Sequence, residues 1–150
     1  METGNETANK LMQAFIQLHR LKMNHGMVGG MKHSEARVLR SIHKMDSGQG
    51  VMVSELSGRL KVSAPSITQT VNSLVEQGLV NRMVDPSDRR AVRLRITPYG
   101  KEVLDRVYQE FMAIHSGLVE YLGEEQSAVL TDLLQKVYQY FEIAGGRQHD

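Results

Sequence analysis

Between Ala64 and Val75 the chain carries no charged residue. The apolar residues of that stretch, Ile67, Val71, Leu74 and Val75, fall at i, i+4, i+7 and i+8 and define one buried face of a helix. The opposite face then shows Ser63, Pro65, Ser66, Thr68, Gln69, Thr70, Asn72 and Ser73. An ordinary solvated helix displays Glu and Lys, which favour both helix and solubility. Short uncharged hydrogen-bonding side chains suit a different task. Gln and Asn pair with the edge of adenine, Thr meets the thymine methyl, and none of them repels the DNA backbone. Downstream, the run Asp85-Pro-Ser-Asp-Arg-Arg90 sets two arginines beside two carboxylates. One arginine of such a tip can pair with Asp85 or Asp88 to brace the loop. The other, Arg89 or Arg90, is then free to project toward a minor groove, whose negative potential attracts guanidinium groups. Arg93 follows in the same basic stretch and joins the expected DNA contacts.

Other chemistries lack their residues. The six histidines (His19, His25, His33, His43, His115 and His149) form neither HxxxH nor HExxH, the pairs that put two ligands on one helical face. No metal site is expected, although His43 and His115 could meet through long-range folding. The chain has no G-x-S-x-G elbow and no Gly-rich phosphate loop. Gly26-Met-Val-Gly-Gly30 follows no strand, so it reads as a chain break. Cysteine is absent, which removes disulfides, zinc-thiolate sites and thiol redox switches. These absences argue against an enzyme and against any required cofactor.

The elements that must position the uncharged face are legible from period and punctuation. Residues 9–24 form an amphipathic helix with Leu11, Phe15 and Leu18 on its stripe, widened by Met12, Ile16 and Met23. A second helix runs from about Ser34 to Lys44 through Ala36, Val38, Leu39 and Ile42, and Asp46–Gly50 is a loop. Val51–Val53 is a short strand candidate. Ser54 stands where the N-cap of a two-turn helix should, with Leu56 and Leu60 inward. Lys61 and Val62 make a tight connection. Ser63 then caps the uncharged helix, Pro65 sits harmlessly in its first turn, and Gly78 ends it in the left-handed conformation. Two short helices so joined form a helix-turn-helix, over 54–77, whose second helix can lie in the major groove.

After Gly78 the apolar period changes from 3.6 to 2. Leu79, Val80, Met83 and Val84, then Val92, Leu94 and Ile96, make a hairpin over 79–96. Thr97-Pro98 opens a long helix striped by Val103, Leu104, Val107, Phe111, Ile114, Leu118 and Leu122. A last helix, about Glu124 to Ile143, carries Val129, Leu130, Leu133, Leu134, Val137, Tyr138 and Phe141.

Composition agrees with a packed domain: 41% apolar and 23% charged residues over 150 positions exclude disorder and fibrous structure. With no Trp and 5% aromatics, aliphatic side chains and the nine methionines are expected to fill the core. No stretch nears the roughly 18 apolar residues of a membrane span. The polar start METGNETANK lacks the basic and apolar regions of a signal peptide, so a cytoplasmic chain is expected. The net charge of +1 hides an asymmetry. Residues 51–101 carry +4 and the remainder −3, a basic middle between acidic flanks that suits a polyanion.

The run SELSGRLKVSAPSITQTVNSLVEQGLVNRMVDPSDRRAVRLRITPYGKEVL resembles the winged helix-turn-helix of MarR-type bacterial transcriptional regulators. The distinctive parts are VEQGLVNR, then D-x-x-D-R-R, then V-x-L-x-I-T-P-x-G, and the likeness is strong over about 54–105. It implies a mainly α fold with a small two- to three-stranded β-wing, as one domain over 1–150. The winged helix-turn-helix occupies 31–99, with dimerisation helices at 9–25 and 100–145. The resemblance also implies a homodimer on a pseudo-palindromic double-stranded operator, with Ser63–Ser73 as recognition helix and Arg89 or Arg90 as wing contacts. Lys32 departs from the pattern, since many members carry a helix-capping Thr there. The absence of cysteine excludes the family's peroxide-sensing mechanism.

Small-molecule pockets in this family usually lie where the winged module meets the dimer helices. Met12, Phe15, His19, Met23, Met31, Met45, Met112 and His115 are the expected lining for an inducer, with methionine an adaptable apolar wall. The dimer interface is expected to use Leu11, Phe15, Leu18, Leu133, Val137 and Phe141, because a second copy would bury the stripes of both terminal helices. It would also hold two recognition helices roughly 34 Å apart, one turn of DNA. Dimeric repression is the expected activity. A metal-responsive regulator of the same fold, or a winged-helix module that meets protein instead of DNA, are the alternatives.

Overall fold

A computed structural model describes residues 2–24 and 27–146, with side chains placed over 4–21 and 29–145. Among them are six helices: α1 (Glu2–Asn24), α2 (His33–Met45), α3 (Val53–Leu60), α4 (Ala64–Glu76), α5 (Pro98–Leu122) and α6 (Glu124–Gly146). The strands are β1 (Met27–Val28), β2 (Met31–Lys32), β3 (Val51–Met52), β4 (Val80–Val84) and β5 (Val92–Ile96). The chain divides into two compact units, Met1–Tyr108 and Gln109–Asp150, with the boundary inside α5.

In the first unit an antiparallel sheet of order β3-β5-β4 packs beside α2, α3 and α4. Val80 pairs with Ile96, Arg82 with Leu94 and Val84 with Val92, so β4 and β5 form the expected hairpin. Val51 and Met52 pair with Leu94 and Arg93 on its other edge. The core is almost wholly aliphatic: Leu39, Ile42, Leu56, Ile67, Val71, Leu74, Val51, Val80 and Leu94 are fully buried. Methionine contributes less than its abundance suggests. Of the described methionine side chains only Met31 is buried, while Met12 and Met112 are exposed and Met45, Met52 and Met83 half-buried.

Two helix starts differ from the sequence expectation for one shared reason. α3 begins at Val53, and Ser54 lies exposed in its first turn instead of capping it. The Met52 N–H donates to Glu55 Oε2 at 2.7 Å. At α2 the Lys32 N–H donates to Glu35 Oε2 at 3.2 Å. In both, a carboxylate three residues inside reaches back to an orphan donor, the half of a capping box that needs no Ser or Thr ahead of it. This is how α2 starts with Lys32, and no Thr, ahead of it.

Three further elements depart from expectation. α1 starts at Glu2, seven residues before the expected helix start at residue 9. Gly29 and Gly30, with φ of +58° and +74°, turn a small β1–β2 hairpin where only a break was foreseen. Val75 is half-buried and outside the full core of α4. The start of α5 is as the sequence suggests. Thr97 Oγ1 accepts from the Gly100 N–H at 2.8 Å, and its hydroxyl donates to the Gly78 carbonyl at 2.7 Å. A Cβ at Gly100 would stand 2.2 Å from the Leu79 carbonyl oxygen, so only glycine lets α5 press against the root of the wing.

The second unit holds the rest of α5 and all of α6, joined at Gly123 with φ of +82°. Its large apolar side chains are mostly uncovered. Ile114, Leu118, Leu133, Leu134, Tyr138 and Phe141 are all exposed. No helix among the described residues is long and apolar enough to cross a membrane.

Candidate nucleic-acid interface

The turn before α4 fixes where its outward face points. Lys61 takes the left-handed conformation at φ +52°, Ser57 Oγ donates to the Val62 carbonyl at 2.6 Å, and Arg37 ties the Leu60 carbonyl to α2 at 3.0 Å. Ser63 then caps α4, its Oγ accepting from the Ser66 N–H at 3.4 Å and donating to Ser66 Oγ at 2.9 Å. With Ile67, Val71 and Leu74 buried, Ser63, Pro65, Ser66, Thr68, Gln69 and Asn72 are exposed, as the helical spacing requires. Thr70 is half-buried and its hydroxyl donates back to the Ser66 carbonyl at 3.1 Å. Ser73 turns aside: it is half-buried, and its hydroxyl donates to Glu35 Oε1 at 2.6 Å. Ser73 therefore leaves the set of side chains available to a ligand. Asn72 Oδ1 accepts from Arg82 of β4, which leaves its amide NH2 outward.

The wing reassigns the arginines. Asp85 is buried and Arg93 braces it, Nε to Oδ2 at 2.5 Å; neither Arg89 nor Arg90 takes that place. Arg93 also donates to the Gly50 carbonyl at 3.2 Å, so it is a strut of the wing and not a free cation. The other Asp85 oxygen accepts from the Ser87 N–H at 2.8 Å and the Ser87 hydroxyl at 2.6 Å. The Ser87 hydroxyl, then Arg93, then the Ser87 N–H hold the Asp85 carboxyl far below the usual carboxylate range, and the same ion pair raises Arg93. A carboxylate depressed in this way contributes stability that is complete above the ordinary aspartate pKa. That contribution is lost only as pH falls through the lowered value, so the strut holds throughout neutral and mildly acidic solution. Among the described residues Asp88 binds no arginine side chain. It accepts the Arg90 backbone N–H at 3.0 Å and shapes the tip as an Asx turn.

A second strut lies two residues on. Arg95 donates to Asp46 Oδ2 at 3.0 Å and to the Gly48 carbonyl at 2.7 Å, while Asp46 Oδ1 accepts from the Gly48 and Gly50 N–H groups at 2.8 Å each. Burial acts to raise the Asp46 carboxyl, but those N–H groups and Arg95 outweigh it and leave it below the ordinary range. Arg93 and Arg95 thus pin the 46–50 loop to β5. Arg89 and Arg90 stay exposed, their side chains without a partner among the described residues. Arg89→Ala or Arg90→Ala should weaken DNA binding on all sequences alike and reduce the slope of log affinity against log salt by about 1 each. Arg93→Ala should loosen the wing, visible as faster amide exchange in β4 and β5.

The expected effector lining is less gathered. Met12, Phe15 and His19 are exposed on α1, Met112 and His115 are exposed in the second unit, and Met45 is half-buried. The Met23 side chain lies outside the described residues. Met31 alone of the set lines a concavity of about 290 Å³, together with Gln77, Leu79, Tyr99 and Arg106. No group of three or more metal-ligating side chains occurs among the described residues. His43 and His115 are both exposed, and His25 and His149 lie outside the described residues. Of the expected interface residues, Leu11, Phe15, Leu18, Leu133 and Phe141 are exposed and Val137 is half-buried.

A recognition-type helix set on a two-helix turn, with a three-stranded wing beside it, defines a winged helix-turn-helix module. Residues 31–92 match the MarR family model, and the winged helix-turn-helix of this chain is of the MarR type. A Thauera aromatica protein named for transcriptional regulation of the hcr operon is 34% identical over 89 residues, 59% of this chain and 54% of that protein. The chain thus spans about half the length of that curated relative. A mutant of MarR from Escherichia coli is 28% identical with a TM-score of 0.61, covering 72% of this chain and 78% of that one; such a mutant has also been solved with operator DNA, at 23% identity and a TM-score of 0.66 over 86% of this chain and 96% of that one. PcaV of Streptomyces coelicolor, solved with its natural ligand, shares the fold at 23% identity and a TM-score of 0.64, over 86% of this chain and 89% of that one.

Proposed function

We propose that the chain is a sequence-specific, DNA-binding transcriptional regulator that acts as a dimeric repressor. α4 enters the major groove and Arg89 and Arg90 approach the flanking minor groove. The observation that carries this reading is the division of labour among the polar side chains of the wing and α4. The wing's Arg93 and Arg95 are engaged within the fold, while Arg89, Arg90, Thr68 and Gln69 are exposed and have no side-chain partner among the described residues. An exposed helix face without charge, together with arginines that have no partner among the described residues, matches what base edges and phosphates respectively require.

Dimerisation is supported by the uncovered apolar residues of α1 (Leu11, Phe15, Leu18) and of α6 (Leu133, Phe141), which a second copy would cover. Two copies would present two recognition helices to a pseudo-palindromic operator. Release by a small-molecule effector is supported by the ligand complex of PcaV, a protein of the same fold. Gln69→Ala tests the base-reading role. On the duplex the wild type prefers it should cost about 1–3 kcal/mol, with little loss on unrelated duplexes. Equal binding of every duplex variant by the mutant and the wild type would remove Gln69 from base reading.

A further inference from the structure

The sequence singles out no role for Glu35, yet it is one of the two buried charged residues among those described. Its carboxylate bridges two helices. Oε2 accepts from the Lys32 N–H at the start of α2, while Oε1 accepts from Ser73 Oγ at 2.6 Å and from Gln77 Nε2 at 3.1 Å, at the end of α4. Gln77 Nε2 also donates to Ser73 Oγ at 3.0 Å, so the three side chains close a triangle. Ser73 and Gln77 are one turn apart on the flank of α4 that adjoins its buried Leu74.

Elsewhere α4 is held by Ile67, Val71 and Leu74, fully buried aliphatic side chains, and by the exposed hydrogen bond from Arg82 to Asn72. Apolar contact holds the helix against the module but is non-directional, so it fixes the helix's rotation about its own axis weakly. Hydrogen bonds to a carboxylate are directional and about twice as strong as neutral ones. A base-reading side chain needs placement to within roughly 0.5 Å and 10–20°. We infer that Glu35 is a positioning residue: by holding Ser73 and Gln77 it sets the rotation of α4, and so which base edges Thr68 and Gln69 can reach. The inference rests on the reading of α4 as the base-reading helix and adds that sequence discrimination is set from α2.

Ser73→Ala, Glu35→Ala and Glu35→Gln separate the possible roles. Ser73→Ala breaks the triangle and leaves the Glu35 cap on α2 intact. Glu35→Gln keeps a carbonyl oxygen that can accept from Ser73, so it is the rescue variant. The full-length proteins are compared by affinity for the wild type's preferred duplex against single-base variants of it, by salt dependence, and by amide hydrogen exchange along α4. Ser73→Ala and Glu35→Ala should each reduce discrimination about tenfold, while nonspecific binding and the salt slope stay as in the wild type. Glu35→Gln should restore most of the discrimination. Exchange in the last two turns of α4 should rise about tenfold in Ser73→Ala.

Wild-type discrimination in Ser73→Ala overturns the inference. So does a loss shared equally by all duplexes that merely follows a lower melting temperature. If the wild type itself prefers no duplex, the base-reading function fails separately, and exchange alone judges the latch: unchanged protection of α4 in Ser73→Ala overturns it, and faster exchange confined to α4 upholds it.

Discussion

Leu133→Asp combined with Val137→Asp should give a monomer that no longer holds an operator tightly. Both residues lie on α6, where Leu133 is 51% exposed and Val137 half-buried in the single chain. Leu130, Leu134, Tyr138 and Phe141 share that helix and are exposed with them. So many uncovered large side chains on one element are rare on a monomer and mark an interaction surface. In the proposed two-fold dimer each substitution would be present twice in the interface, so the carboxylates would meet their own copies. Losing the second copy removes the intramolecular advantage of the second half-site, typically 10²–10⁴-fold in affinity. Sedimentation velocity reads the assembly and titration against an operator reads the affinity. A double variant that sediments as a dimer would overturn the assignment of α6 to the interface.

Val71→Asp has the largest expected effect on the fold. Val71 is 1% exposed, between Ile67 and Leu74 on the inward face of α4, which packs on α2 and α3. An aspartate there has no buried cation to pair with among the described residues, and an isolated buried charge costs several kcal/mol even after the surroundings relax. Against a typical total stability of about 5–15 kcal/mol, the module should lose its cooperative thermal transition or melt far below the wild type. Val71→Ala, which removes volume without adding charge, should keep the transition at a lower temperature. A Val71→Asp protein that melts like the wild type would mean that α4 is turned with another face inward.

The helix-turn-helix and wing were readable because they are local. Ser63, Pro65 and Gly78 punctuate α4 within one run of sequence, and the switch of period after Gly78 marks the hairpin. What could not be read depends on partners far along the chain. The tip sequence offers three arginines to two carboxylates, and nothing in it distinguishes Arg93 as the strut. That choice is made by the strand register, which sets Arg93 opposite Met83 and so within reach of Asp85 two residues on, and by the Gly50 carbonyl, 43 positions away. The strand alternation did place Arg93 and Arg95 on one face, which could have flagged them as a pair with a common structural task. Glu35 was hidden for the same reason, since its partners are 38 and 42 residues distant. Ser73 looked like its neighbours on α4 and is withdrawn from the surface only by that contact. The β1–β2 hairpin did carry a signal: Gly29-Gly30 between Val28 and Met31 is the two-residue turn that permits φ > 0 at both positions.

The central claim is that exposed α4 side chains read base sequence while Arg89 and Arg90 neutralise the backbone. Its most direct test is selection from a pool of random duplexes by the wild-type chain at two salt concentrations, with sequencing of what is retained. Enrichment of an inverted repeat with half-sites about one helical turn apart, and a steep fall of affinity with salt, is the expected result. Retention that is weak, salt-sensitive and without any enriched sequence would contradict base reading by α4.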